Sequence, residues 1–164
     1  MHDQHEAALS QAVRLREEGT LQARQQLLSL AERWPQDAAI AYQVAWAHDA
    51  LGLEAEAVPF YERALSGSGL SPDDRHGVFL GLGSTYRVLG RYDLSLATLR
   101  RGLSEFPHDA ALRTFLAMAL YNVGDFREAV RALLHVTAAT SADGHVQKYR
   151  RAIEYYAENL DETQ

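Results

Sequence analysis

The sequence has no cysteine among its 164 residues. This absence excludes disulfide bonds, thiolate metal sites and cysteine nucleophiles. Lysine is almost absent too, because every basic residue except Lys148 is an arginine or a histidine, and the formal net charge is −6. The acidic balance argues against nucleic acid or an anionic membrane as a partner, and we expect neither.

Long apolar runs and a secretion signal are also missing. No apolar stretch approaches the ~20 residues that a membrane-spanning helix needs. The first residues, from Met1 to Glu6, lack the basic start and the apolar segment of a signal peptide. We therefore expect a cytoplasmic protein.

Glycine and proline are sparse but regularly placed, which indicates an internal repeat. Gly19, Gly52, Gly90 and Gly124 lie 33, 38 and 34 residues apart by their numbers. Two nearly identical stretches, WPQDAA and FPHDAA, recur at residues 34–39 and 106–111. Self-similarity at this period is the signature of a helical repeat array.

Apolar residues within each period follow helical spacing. Phe79, Leu82, Gly83, Tyr86 and Leu89 fall on one stripe at three- and four-residue steps, as a buried helix face requires. A second stripe begins after the glycine turn that follows. Helix, glycine turn and helix together predict an αα-hairpin.

These residues resemble a known family. Phe79, the Leu82-Gly83 pair, Tyr86, Gly90 and Pro107 are similar to the tetratricopeptide pattern, W-x2-L-G-x2-Y followed by a closing proline. The resemblance implies an all-α fold, a right-handed α-solenoid of about four hairpins that ends in a capping helix. It divides a single domain into a degenerate repeat at 5–37, repeats at 38–71, 72–109 and 110–143, and a capping helix at 144–160.

Two prolines bear on where helices begin. Ser71 before Pro72 predicts an N-cap followed by proline at the first helical position. Pro59 lies inside the second helix of its repeat, so we expect that helix either to start late, near Val58, or to bend.

The glycine-rich stretch at residues 81–85, GLGST, raises the alternative of a phosphate-binding loop. Such a loop needs its glycines at a helix N-terminus, and a Walker lysine accompanies it. Here the helix starts near Pro72, so both glycines lie inside it, and the lysine is absent. We interpret the stretch as helix packing. For Gly81 two interpretations stay open: an unconstrained surface position, or a place where a ligand backbone passes closely.

The resemblance also implies where a ligand binds, because the first helices of the repeats line a concave groove in this family. Large apolar residues that belong to no packing stripe there are typical of binding hot spots. The implied groove positions are Tyr42, Gln43, Trp46, Asp49, Leu80, Ser84, Arg87, Val88, Thr114, Phe115, Met118, Tyr121 and Asn122.

The family's best-known ligand site, a clamp of Lys, Asn and Arg residues for a C-terminal carboxylate, is absent. The matching positions are Leu9, Val13, Gln43, Gly77 and Gly81. An internal or more apolar peptide or protein segment is therefore the expected partner. The alternative is a homodimer, paired through an end helix or through Tyr149, Tyr155 and Tyr156.

An enzyme is the third hypothesis, and the sequence does not favour it. The seven histidines are scattered and show no metal-ligand spacing on one helix face, and His48 takes a position where the family has a core tyrosine. We expect no catalytic residues, no metal and no cofactor.

Overall fold

The computed structural model describes residues 2–163. Within them the chain forms ten α-helices and no β-strand, which confirms the all-α helical-repeat prediction. The helices are α1 (His2–Glu18), α2 (Leu21–Arg33), α3 (Ala38–Ala50), α4 (Glu54–Ser66), α5 (Pro72–Val88), α6 (Tyr92–Glu105), α7 (Ala110–Asn122), α8 (Phe126–Thr140), α9 (Gly144–Lys148) and α10 (Arg150–Glu158). None of these helices is long and apolar enough to cross a membrane.

The helices form two compact units, and the division lies between α5 and α6. The first unit ends at Arg91 and contains α1 to α5, and the second begins at Tyr92 and contains α6 to α10. The predicted third repeat, residues 72–109, therefore contributes one helix to each unit.

Glycine turns close the first helix of each hairpin. At the end of α3, Gly52 has a φ of +70°, a left-handed conformation that glycine adopts without steric cost. The Leu53 amide donates to the His48 carbonyl at 2.9 Å, and the Gly52 amide donates to the Asp49 carbonyl at 3.0 Å. This pair of bonds is a Schellman motif, which satisfies carbonyl groups that the helix leaves unpaired.

Side-chain caps explain the repeated proline-containing stretches. Asp37 and Asp109 hold the same place in each stretch, and each accepts a hydrogen bond at 2.7 Å from a backbone amide of α3 or α7. Ser71 likewise accepts from the Asp74 amide at 3.0 Å, with Pro72 as the first residue of α5, as predicted. The internal repeat is thus partly a repeat of helix start signals.

Of the two alternatives expected for α4, a late start or a bend, the late start is wrong. The helix begins at Glu54 and carries Pro59 in its interior, on an exposed position. Proline has no amide hydrogen, so the Ala55 carbonyl loses one helical partner. A carbonyl that faces water can bond to solvent instead, which makes the loss tolerable.

Two apolar clusters fill the first unit, and α3 contributes to both. One cluster joins α1, α2 and α3 and includes Leu15, Leu27 and Val44. The other joins α3, α4 and α5 and includes Tyr61 and Leu82. Because α3 is covered on two sides, nine of its thirteen residues are buried.

In the second unit, α6 packs on α7, α7 packs on α8, and α10 packs on α8. The segment predicted as one capping helix is two helices, because the chain turns at Tyr149 between α9 and α10. Ala157 of α10 is 1% exposed. This short helix therefore packs on its own unit through Ala157, whereas its Tyr155 and Tyr156 are exposed.

Ion pairs hold α10 on α8. The Glu158 carboxylate accepts from Nε of Arg131 at 2.9 Å and pairs with Nε2 of His135 at 2.7 Å. Arg127 of α8 also pairs with Asp161, just beyond α10. The hydrogen bonds from Arg131 and His135 lower the pKa of Glu158 to about 2.

Candidate binding surface

The predicted groove residues of α3 differ widely in exposure. Tyr42 and Gln43 are buried, at 6% and 3% exposed, whereas Trp46 is 43% exposed and Asp49 is half-buried. On α5, Val88 is exposed, and Leu80, Ser84 and Arg87 are half-buried. Among the α3 candidates, Trp46 and Asp49 are therefore the ones that a ligand can reach.

Trp46 is held in a stack of three side chains. Its ring lies 5.6 Å from that of Tyr42, centroid to centroid, with an interplanar angle of 30°. The guanidinium carbon of Arg16, from α1, lies 3.9 Å from the centroid of the indole. We call these three residues the aromatic stack. Because both neighbours restrain the indole, its exposed part has a fixed position.

Two glycines of α5 make room for tyrosines behind this face. A Cβ atom at Gly77 would lie 2.0 Å from the Tyr42 hydroxyl oxygen, and one at Gly81 would lie 2.4 Å from that of Tyr61. A side chain at either position would force the tyrosine to move. Both interpretations of Gly81 made from the sequence, an unconstrained surface position and a close ligand backbone, are therefore wrong. Glycine is present at this position because the Tyr61 ring lies against it.

Asp49 anchors a hydrogen-bond network that links three helices. Its carboxylate accepts from the hydroxyl of Tyr61 on α4 at 2.8 Å and from the hydroxyl of Thr85 on α5 at 2.8 Å. Burial raises the pKa of Asp49, while the bonds from Tyr61 and Thr85 act in the opposite direction. Burial and the nearby carboxylate also raise the pKa of Tyr61, so its hydroxyl stays protonated and acts as the donor.

His48 belongs to the core, as predicted from its place in the repeat. It is 1% exposed and stacks on Phe60 with ring centroids 5.4 Å apart. Its Nδ1 lies 2.7 Å from the Val44 carbonyl oxygen, and Nε of Arg24 donates to its Nε2 at 2.9 Å. These partners fix a neutral ring with the proton on Nδ1. Burial is the largest cause of the lowered pKa of His48.

No metal-binding constellation occurs in the described part of the chain. Among residues 2–163, no group of three or more histidine, cysteine, aspartate or glutamate residues is placed to hold a metal ion.

The predicted groove residues of the second unit lie on α7. Met118 and Tyr121 are 39% and 63% exposed, Asn122 is exposed, and Phe115 and Thr114 are half-buried. The ring of Tyr121 contacts that of Phe126 at the start of α8, with centroids 5.2 Å apart. Because α10 packs on α8, it leaves Met118 and Tyr121 accessible.

One exposed apolar stripe of this unit was not predicted from the sequence. Phe126, Val130 and Leu133 of α8 are 56%, 45% and 41% exposed. Their spacing of three and four residues is visible in the sequence. However, this spacing cannot distinguish a helix side that is buried from one that faces water.

Helix hairpins closed by glycine turns, with capped starts that recur along the chain, define a helical-repeat protein. The family model described as tetratrico peptide repeat matches residues 38–160. The chain belongs to the tetratricopeptide repeat family, whose members are generally protein–protein interaction modules. The match begins at the first residue of α3, so α1 and α2 lie outside it. No curated protein matches the chain.

Proposed function

We propose that this chain is a non-catalytic module that binds a peptide or protein segment on the exposed side of α1, α3 and α5, centred on Trp46. The observation that carries the proposal is the indole of Trp46, 43% exposed on a helix whose other residues are mostly buried. The family supports the class of function, because its members generally mediate protein–protein interactions.

An exposed tryptophan has a free-energy cost that a ligand can remove. Covering the water-accessible part of the indole with apolar surface is worth about 2 kcal/mol. Tryptophan is also among the residues most enriched at the energetic centres of interfaces. Among the residues of the first unit, Trp46 is thus expected to contribute most to the free energy of binding a segment.

The aromatic stack also reduces the entropic cost of binding. A free side chain loses about 0.5–1.5 kcal/mol when a ligand immobilises it. Tyr42 and Arg16 already restrain the ring of Trp46 in the free chain. Most of this ordering cost is therefore met during folding, so the indole is already in place when a ligand binds.

A random peptide display library tests this proposal. We expect peptides selected on the folded chain to bind Trp46→Ala at least about tenfold more weakly, because the largest contact area is removed. Leu21→Ala is the matched control, since Leu21 is 66% exposed on α2, away from the proposed face. Circular dichroism checks that all variants stay folded.

Two outcomes would contradict the proposal. Peptides that bind Trp46→Ala as well as the parent chain would show that they bind elsewhere. If Trp46→Ala instead unfolded the chain while Leu21→Ala did not, the indole would be a core residue rather than a contact surface.

Self-association is a second candidate function, favoured by the apolar stripe of α8. Phe126, Val130 and Leu133 expose large side chains on one side of that helix, and such patches commonly mark interfaces. Sedimentation mass measured over a range of concentrations tests it. A mass that rises with concentration in the parent chain but not in Leu133→Glu would support a homodimer, and a constant monomer mass would contradict it.

A further inference from the structure

Asp49 is a half-buried carboxylate to which the described chain supplies no cation. Its donors are the neutral hydroxyls of Tyr61 and Thr85. The single hydroxyl proton of Thr85 is shared, because the Gly81 carbonyl oxygen is also 2.8 Å away. No arginine or lysine in residues 2–163 forms an ion pair with Asp49.

The location of Asp49 adds to the cost of its charge. It lies in the last turn of α3, which ends at Ala50, where the unpaired carbonyl groups form the negative end of the helix dipole. The charge of Glu54, at the start of α4, disfavours a second negative charge as well. The ionised form of such a carboxylate is stabilised most when a positively charged group is brought next to it.

Trp46 supplies an exposed apolar contact next to Asp49. Residues three apart on a helix have Cβ atoms about 5–6 Å from each other on the same face, which places Trp46 beside Asp49. The indole already accepts a guanidinium in the free chain, since Arg16 lies 3.9 Å from its centroid. Because Arg16 and Tyr42 already lie against its faces, a ligand side chain meets the exposed edge of the indole.

We propose that the segment bound on this face carries an arginine side chain, whose guanidinium donates to Asp49 and whose aliphatic part lies against the exposed edge of Trp46. This assignment rests on the proposed function and specifies its ligand. A guanidinium is preferred to an ammonium because its planar fork can donate two hydrogen bonds to one carboxylate. The chain's net charge of −6 also favours a basic segment over an acidic one.

The test uses random peptide display against three forms of the chain: the parent, Asp49→Asn and Glu32→Gln. Asparagine keeps the size of Asp49 and an oxygen that accepts from Tyr61, so the network with α4 is retained. Glu32→Gln removes the same charge from an exposed residue of α2 and is the matched control. We expect arginine to be enriched in peptides selected by the parent and by Glu32→Gln, and not in those selected by Asp49→Asn.

A second measurement isolates the guanidinium. One peptide from the parent selection is synthesised with arginine, with lysine and with citrulline, which has the same shape without the charge. Affinities are read from Trp46 fluorescence in a Trp34→Phe chain. We expect citrulline in the peptide, or Asp49→Asn in the protein, to weaken binding about 10- to 100-fold, the range for a hydrogen bond to a charged group.

The outcomes separate this inference from the function on which it rests. Peptides that need Trp46 but bind equally well with citrulline would overturn the arginine assignment and leave the proposed function in place. Equal affinity for the lysine peptide would overturn the preference for a guanidinium. If no selected peptide depends on Trp46, both proposals fail.

Discussion

The hydroxyl group of Tyr61 occupies the space that a Cβ atom at Gly81 would need. A Cβ atom built at position 81 lies 2.4 Å from the hydroxyl oxygen, 2.5 Å from Cζ and 2.8 Å from Cε1 of Tyr61. Tyr61 cannot easily move away, because it is 2% exposed and donates to Asp49. The close approach of α4 to α5 therefore depends on glycine at this position.

Gly81→Ala is expected to destabilise the chain despite the better helix propensity of alanine. The propensity gain is about 1 kcal/mol, whereas overpacking of a fixed core typically costs 1–3 kcal/mol. With three atoms of Tyr61 within clashing distance, we expect the overpacking cost to exceed the gain. Urea unfolding should show a net loss of about 1 kcal/mol.

Gly144→Ala is the matched control for this substitution. Gly144 is the first residue of α9, and a Cβ atom there meets nothing within 4 Å. We expect that variant to be neutral or slightly stabilised. Combining Gly81→Ala with Tyr61→Leu should cost less than the sum of the two single changes, because leucine removes the atoms that clash. Strict additivity would contradict the steric explanation.

Local signals in the sequence were sufficient to predict the helical repeat, the glycine turns and the start of α5. Gly52 and Gly90 follow α3 and α5 at positions where only glycine is unstrained, and Ser71 with Pro72 marks the start of α5. Such signals act through the backbone within a few residues. These signals can therefore be recognised in the sequence without knowing which helices pack together.

Contacts between residues distant in sequence were not predictable in the same way. Helical phase places Tyr42 and Trp46 on one side of α3, yet the first is buried and the second exposed. The difference comes from Gly77, 35 residues further along, which lets the Tyr42 ring approach α5. The role of Asp49 depends likewise on Tyr61 and on Thr85 of another helix.

The stability of the chain should fall in mild acid because of His48. Burial holds the pKa of His48 below its usual 6.5, and Arg24 next to Nε2 also opposes protonation, although Glu56 and Asp49 nearby favour it. The unfolded chain thus takes up a proton near pH 6.5 that the folded chain resists. The free energy of unfolding contributed by this group is constant above about pH 6.5 and declines as the pH falls below it.

Urea unfolding of the parent chain and of His48→Gln, from about pH 7.5 to about pH 5, isolates this effect. We expect the stability difference between the two proteins to shift in favour of the glutamine variant as the pH falls. His108→Gln changes an exposed histidine and should follow the parent curve. Parallel curves for the parent and His48→Gln would show that His48 does not titrate differently on folding.

The pairing of Glu158 predicts a pH-dependent attachment of α10. Because the pKa of Glu158 is lowered to about 2 from 4.5, its contribution is present above about pH 4.5 and is lost as the pH falls towards 2. Amide hydrogen exchange at Ala157 should therefore be faster in Glu158→Gln than in the parent at neutral pH, and the difference should shrink as the pH falls towards 2. Glu154→Gln is the control, since Glu154 pairs with Arg150 within α10. Equal exchange in the parent and in Glu158→Gln at neutral pH would contradict this role.

Asp49→Asn is expected to stabilise the free chain while it weakens ligand binding. Because the folded environment raises the pKa of Asp49, its ionised form is less favourable in the folded chain than in the unfolded one. A neutral amide removes that cost. The expected gain in the free energy of unfolding is less than about 1 kcal/mol, because solvent screens a half-exposed group. The gain should be largest at neutral pH and should diminish in acid, where the parent carboxylate is protonated too.

Urea unfolding at several pH values measures this gain in stability, with Glu32→Gln as the control. A marked loss of stability in Asp49→Asn would show that the carboxylate serves the fold through Tyr61 and Thr85, rather than being retained for a ligand.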